Sequence, residues 1–171
     1  NVIKVYYIKN VFKVTYEYTN EPADIPDGAN AQLPQASDAT YNTEVSVAAK
    51  PSVDGYTFTG WTVKKPEELT VADDKFIMPA QNVTLTGTWE KRTDLSYTVH
   101  YYWNGTTEKV HEDKVVPNKT YGEEVTEKVV VTINPGYTPV NSAQEETINI
   151  GAGTNEITFY YYKNVELTAN S

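Results

Sequence analysis

Cysteine is absent from these 171 residues, methionine occurs once and histidine twice. Without cysteine there are no disulfides and no thiolate metal sites, so any small domain must hold itself by packing and hydrogen bonding. Positive charge is also scarce. Lys and Arg number 14 against 23 Asp and Glu, for a net charge of −9, which excludes the basic patch that nucleic acid or anionic lipid rewards. No apolar run approaches the roughly 18 residues of a membrane span. No signal peptide or anchor is visible, although a fragment from the middle of an array would carry neither. Helical periodicity is scarce too. The best stretch, Tyr121 to Val131, opens on Gly122 and runs into the β-branched Val129–Ile133, which prefers a strand.

What is abundant is tyrosine, at 14 residues, together with Thr and Val. This is a strand composition, and it predicts an almost all-β chain. The chain also nearly repeats its opening at its close. Asn1-Val-Ile-Lys-Val-Tyr-Tyr-Ile-Lys-Asn10 aligns with Asn155-Glu-Ile-Thr-Phe-Tyr-Tyr-Tyr-Lys-Asn164, identical at six of ten positions, with Val11 and Val165 following. A repeat of this kind fixes architecture before any other feature. It predicts one period of a longer array: residues 1–10 as the last strand of an upstream repeat, modules over 11–92 and 93–164, and 165–171 as the start of a further repeat or a linker. A lone strand with Ile3, Val5 and Tyr7 on one face must bury that face to stay ordered. It is expected to add to the open sheet edge of a neighbouring molecule, as an artefact of where the chain is cut, rather than fold back on the first module. The chain itself is expected to be a native monomer.

Along the first module, Val11–Tyr18 alternates with Phe12, Val14, Tyr16 and Tyr18 on one face. Residues 19–40 read as a long polar loop with at most a turn of helix. Short strands follow at Glu44–Val47, at Tyr56–Val63 bent at Gly60, near Phe76, and at Val83–Trp89 with Val83, Leu85 and Trp89 inward. Glu90–Asp94 reads as a charged linker, so the two domains are expected to meet near residues 90–96. The second module opens with Tyr97–Trp103, turns at Asn104-Gly105 and returns through Glu108–Val116, a strong hairpin signal. Strands at Val129–Ile133, Thr147–Ile150 and Glu156–Lys163 complete it. Trp61 and Trp89 are expected in the core, and Trp103 is expected to be more exposed.

Gly55-Tyr-Thr-Phe-Thr-Gly-Trp61, followed by Phe76-Ile-Met-Pro-Ala-Gln-Asn-Val-Thr-Leu85 and Trp89, resembles the Listeria–Bacteroides repeat, the family of the internalin B-repeats. Tyr97–Tyr102, Pro135-Gly-Tyr137 and Ile157–Lys163 resemble, more loosely, the mucin-binding-protein (MucBP) repeat. Both resemblances imply two tandem, small, β-grasp-like (ubiquitin-like) modules with little helix, strung along Gram-positive surface proteins. Neither implies a catalytic residue, a metal or a cofactor.

Individual residues add little chemistry. His100, on an outward strand face, and His111 lack a partner at ligand spacing and read as polar filler. Asp73-Asp74, Asp24 with Asp27, and Glu145-Glu146 lack the loop of a dedicated calcium site. Nucleophile elbows and phosphate-cradling glycine loops are absent, Gly151-Ala-Gly153 preceding no helix. Lys13 is the sole candidate donor for a Lys–Asn isopeptide bond, with no evident partner. If Tyr97, Val99 and Tyr101 face the core with Ile157, Phe159 and Tyr161, then Tyr102, Tyr160 and Tyr162 face outward. There they form either a cross-strand ladder, the favoured reading, or a ligand-binding patch. The expected function is a non-enzymatic extracellular spacer of a cell-wall-attached bacterial surface protein or adhesin. The alternative is an adhesive module binding mucin glycans or a host protein through those tyrosines.

Overall fold

The computed structural model describes residues 1–165. It divides into two compact units, Asn1–Glu90 and Lys91–Ser171. Fourteen strands carry nearly all the regular structure. The described helix is confined to two single 3-10 turns, Pro22–Asp24 and Asn30–Gln32.

The first unit contains β1 (Val11–Tyr18), β2 (Ser37–Thr40), β3 (Glu44–Ser46), β4 (Tyr56–Phe58), β5 (Thr62–Lys65), β6 (Lys75–Ile77) and β7 (Val83–Gly87), with β8 (Trp89–Lys91) at its end. Its main sheet has the order β2-β1-β7-β5, and the pairs β3/β6 and β4/β8 stand beside it. β1 and β7 run parallel, with Val14 opposite Val83, Tyr16 opposite Leu85 and Tyr18 opposite Gly87. The alternation read in the sequence sets the buried face. Val14, Tyr16, Val83 and Leu85 form a core with Phe76 and Met78. Burial of each such side chain stabilises by about 1.5–3 kcal/mol. A continuous cluster of rings joins that core, Phe58 lying 4.7 Å from Trp61 and 4.9 Å from Trp89, and Tyr16 4.9 Å from Trp61. Gly87 is required there, because a β-carbon on it would fall 2.1 Å from the Phe58 ring.

The second unit contains β9 (Leu95–Trp103), β10 (Lys109–Lys119), β11 (Glu124–Lys128), β12 (Tyr137–Pro139), β13 (Glu145–Asn149) and β14 (Glu156–Lys163). Its main sheet has the order β10-β9-β14-β12, with β11/β13 as a separate pair. The plan of this sheet matches the main sheet of the first unit. An opening strand lies parallel to the closing strand at the sheet centre, the second strand flanks the opening one, and a short middle strand flanks the closing one. Outside that sheet the second unit has one two-stranded pair, β11/β13, and the first unit has two, β3/β6 and β4/β8. Two sequences resembling different families thus take one topology. The connections between the parallel central strands hold no α-helix among the described residues. The core gathers Tyr97, Val99, Tyr101, Ile157, Phe159 and Tyr161, the faces expected from alternation.

Several expectations differ. Residues 19–40 are not all loop, because Ser37–Thr40 pairs antiparallel with β1. The 56–63 stretch is two strands, not one bent strand. Gly60, at φ +95°, takes the chain out of one sheet pair and into another. The β-branched run Val129–Ile133 is a turn. Strand pairing ends at Lys128 opposite Glu145, Val129 is buried, and intrinsic preference yields to that packing. Trp61 is only partly buried, its Nε1 donating to the Ala49 carbonyl at 3.3 Å, whereas Trp89 is 3% exposed. Trp103 packs partly buried against the second core, with Lys163 Nζ 3.9 Å above its ring. Residues 1–10 form no strand and bury nothing, so the requirement that they cover their apolar face is unmet within this chain. The proposed repeat start at 165–171 lies, beyond Val165, outside the described residues.

Candidate ligand-binding face

β9 and β14 lie side by side in parallel register, so their outward residues form rows. Thr158 pairs with His100 and Tyr160 with Tyr102. On the other side of β14, Tyr162 pairs with Thr138 of β12. The three tyrosines singled out in the sequence are thus brought onto one face. Tyr160 is 39% and Tyr162 51% exposed, while Tyr102 is half-buried. The cause of the last is His100, whose ring stacks on Tyr102 at 5.2 Å and 14°. The face carries Tyr102, Tyr160 and Tyr162 alongside Thr138 and Thr158. Such a face can stack on the apolar side of a sugar ring or anchor a protein side chain.

His100 is not the exposed filler expected of it. Its side chain is 14% exposed and bridges two other strands, with Nδ1 3.1 Å from Asp113 Oδ1 of β10 and Nε2 3.1 Å from Glu156 Oε1 of β14. The Nε2 contact has hydrogen-bond geometry. The Nδ1 contact does not, and acts as an ion pair. Lys109 Nζ reaches the other Asp113 oxygen at 3.1 Å. Burial works against a charged imidazole, but the two carboxylates outweigh it and raise the His100 pKa above its ordinary value. Asp113 is likewise opposed by burial, yet His100 and Lys109 hold its carboxyl below the usual range. The signal was present in the sequence only as three residues far apart. It takes the β9/β14 register and the bulged β9/β10 hairpin to assemble them.

Below the sheet, two buried phenols are locked. Burial and the Glu127 carboxylate, 2.6 Å away, push Tyr97 up to about 12. Burial, aided by Tyr101, pushes Tyr161 up to about 12, and its hydroxyl donates to the Val130 carbonyl at 2.9 Å. Beside β10 an open groove of about 340 Å³ is lined by Tyr101, His111, Asp113, Lys114, Val130 and Ile133, among others. Three of its titratable groups are turned to partners within the protein: His111 Nδ1 donates to the Glu112 carbonyl at 3.0 Å, Asp113 pairs with Lys109 at 3.1 Å, and Lys114 pairs with Glu127 at 2.7 Å. Among the described residues no three His, Asp or Glu side chains converge on a point that could hold a metal ion. His100 and its two carboxylates do not, because each engages a different ring nitrogen. Lys13 is exposed and pairs with Asp38 at 3.0 Å, while Asn82 takes its backbone N–H at 2.9 Å.

Residues 23–93 match the family model of the Divergent InlB B-repeat domain. No curated protein matches the chain. Among solved structures, Streptococcal High Identity Repeats in Tandem (SHIRT) domains 3-4 from a cell surface protein are similar at 12% identity over 90% of this chain and 98% of that one, with a TM-score of 0.37. The crystal structure of Mub-RV is similar at 13% identity over 92% and 100%, with a TM-score of 0.29. Scores at that level establish no common fold.

Proposed function

We propose that this chain is a non-enzymatic, extracellular spacer from a bacterial surface protein, made of two β-grasp-like modules in tandem. The carrying observation is that two units with separate cores share the topology of their four-stranded main sheets, while residues 23–93 match a repeat-domain family. A module that only separates needs an independent core, an acidic, soluble surface and a short connection, and all three are present. No described helix is long and apolar enough to cross a membrane, and the net charge of −9 disfavours nucleic acid. Pulling single molecules of the full chain from its ends tests this. Two separate unfolding steps are expected, each releasing roughly 260–290 Å for about 80 residues at 3.3–3.6 Å per residue. A single step spanning the whole chain overturns the proposal.

The exposure of Tyr160 and Tyr162 favours a second reading, an adhesive face for mucin glycans or a host surface protein, in keeping with the MucBP resemblance. Saturable binding to immobilised mucin that disappears in the Tyr102→Ala/Tyr160→Ala/Tyr162→Ala variant would establish it. Equal signals from the variant and the parent chain would dismiss it.

A further inference from the structure

Val2, Ile3, Val5, Tyr6, Tyr7 and Ile8 are 66–93% exposed and lie in no strand. The near-copy of this segment in the same chain, β14, is the strand buried at the centre of the second sheet between β9 and β12. Five of the six positions at which the two agree have a structural task in β14, the sixth being the exposed Tyr160. Ile157 and Tyr161 are buried in the core, and the Tyr161 hydroxyl requires the Val130 carbonyl. Asn155 accepts from the Gly151 N–H at 2.8 Å and donates to the Ser96 carbonyl at 3.1 Å, fastening the turn before the strand to the start of β9. Asn164 accepts from the Thr138 hydroxyl at 2.6 Å and donates to the Pro135 carbonyl at 3.3 Å, fastening the strand's end to the turn before β12. Lys163 lies over Trp103. The counterparts are Asn1, Ile3, Tyr7, Lys9 and Asn10. Three of the four differences fall on outward positions, Glu156, Thr158 and Tyr162. The fourth puts Val5, still apolar, where Phe159 is buried. A merely β-rich tail has no reason to match at end-fastening asparagines.

We propose that residues 1–10 are a donor strand: they form the central strand of a module built like the second unit, inserted between its counterparts of β9 and β12, and pass into β1 through Asn10. The acceptor is defined by what the segment must satisfy. It offers an apolar slot for Ile3, Val5 and Tyr7, a carbonyl beneath the Tyr7 hydroxyl, a tight turn at each end for Asn1 and Asn10, and a ring beneath Lys9. Two open edges supply the backbone pairing that a lone strand lacks. Successive modules would then be joined by a strand embedded in a sheet, not by a free linker. This inference stands on the geometry of β14 and is independent of whether the modules space or adhere.

Two experiments on the full chain test it. In the first, the sequence of residues 1–10 is transplanted into β14 by Glu156→Val, Thr158→Lys, Phe159→Val and Tyr162→Ile. Amide-exchange protection of residues 157–161 is expected to persist. Its loss here, when Phe159→Val alone retains it, overturns the proposal. In the second, a protease site is placed in the Gly151–Gly153 turn and cut. The nicked protein is unfolded and refolded with excess synthetic peptide of residues 1–10, and incorporation is read by native mass spectrometry. The peptide is expected to enter about 10–100-fold more weakly than the released β14 peptide, because valine fills the Phe159 site poorly. A version with Ile3, Val5 and Tyr7 changed to Asp is expected not to enter. Equal incorporation of both versions, or exclusion of residues 1–10 while the β14 peptide returns, overturns the proposal.

Discussion

Replacing His100 should uncouple three strands and remove a pH dependence from the second unit. The Asp113 contact is with a carboxylate only 22% exposed, and a part-buried ion pair with the protonated imidazole contributes about 1–2 kcal/mol, between the exposed and fully buried cases. The Glu156 carboxylate is more than half exposed, so solvent screening leaves that contact below about 0.5 kcal/mol. Asp113 keeps Lys109 when the imidazole is gone, which avoids the full penalty of a stranded charge. His100→Ala should therefore cost about 1–2 kcal/mol, or roughly 5–15 °C in Tm for a unit of about 80 residues. The sign with pH follows from the raised value. The imidazolium's contribution is complete below about pH 6.5, the unfolded value, and is lost as pH rises through the folded one. Asp113 behaves oppositely: its value is lowered, so its contribution is present above about pH 4 and lost as pH falls through the folded value. The groups facing His100 are Asp113 and, beyond it, Lys109 from β10, Glu156 from β14 and Tyr102 from β9. Urea unfolding of the full chain, with amide exchange in β9 and β14 reporting the second unit, should show wild-type stability declining as pH rises above about 6.5. His100→Gln, which carries no charge, should be flat above about pH 5. A wild-type profile that rises with pH in this range, or His100→Gln declining in parallel with it, refutes the reasoning.

Trp89→Ala should cost about 3–5 kcal/mol by denaturant titration, and Trp61→Ala clearly less, because only the first ring is fully enclosed; equal costs would contradict the burial difference. Gly87→Ala should destabilise the first unit by about 1–3 kcal/mol through collision with Phe58, and the double change with Phe58→Ala should be strongly non-additive. Additive losses would show that the ring is not the obstacle. Tyr161→Phe keeps the ring but leaves the Val130 carbonyl without its donor, for an expected loss of about 1–2 kcal/mol in thermal unfolding; an unchanged Tm would mean that the hydroxyl is dispensable.

Alternation alone determined a great deal here. A strand's side chains have a period of two, so the inward sets Val14-Tyr16, Tyr97-Val99-Tyr101 and Ile157-Phe159-Tyr161, and the outward Tyr160 and Tyr162, were legible once the strands were found. The Asn104-Gly105 hairpin and the near-absence of helix were legible for equally local reasons, turn chemistry and composition. What the sequence could not decide is which strands become neighbours. The parallel pairing of β1 with β7 and of β9 with β14 joins residues more than fifty apart, and no local preference encodes a register at that distance. The β9/β14 register carries Glu156 to His100, turning an apparent filler into a clamp, and the β4/β8 pairing places Gly87 beneath Phe58. Tertiary packing also overruled preference at Val129–Ile133, where pairing had already ended, and left Trp61 only partly buried against the first core. Strand identity is a property of ten residues, whereas neighbour identity is a property of the closed sheet. The chain shows both outcomes in two nearly identical segments, one buried at a sheet centre as β14 and one open to solvent at residues 1–10.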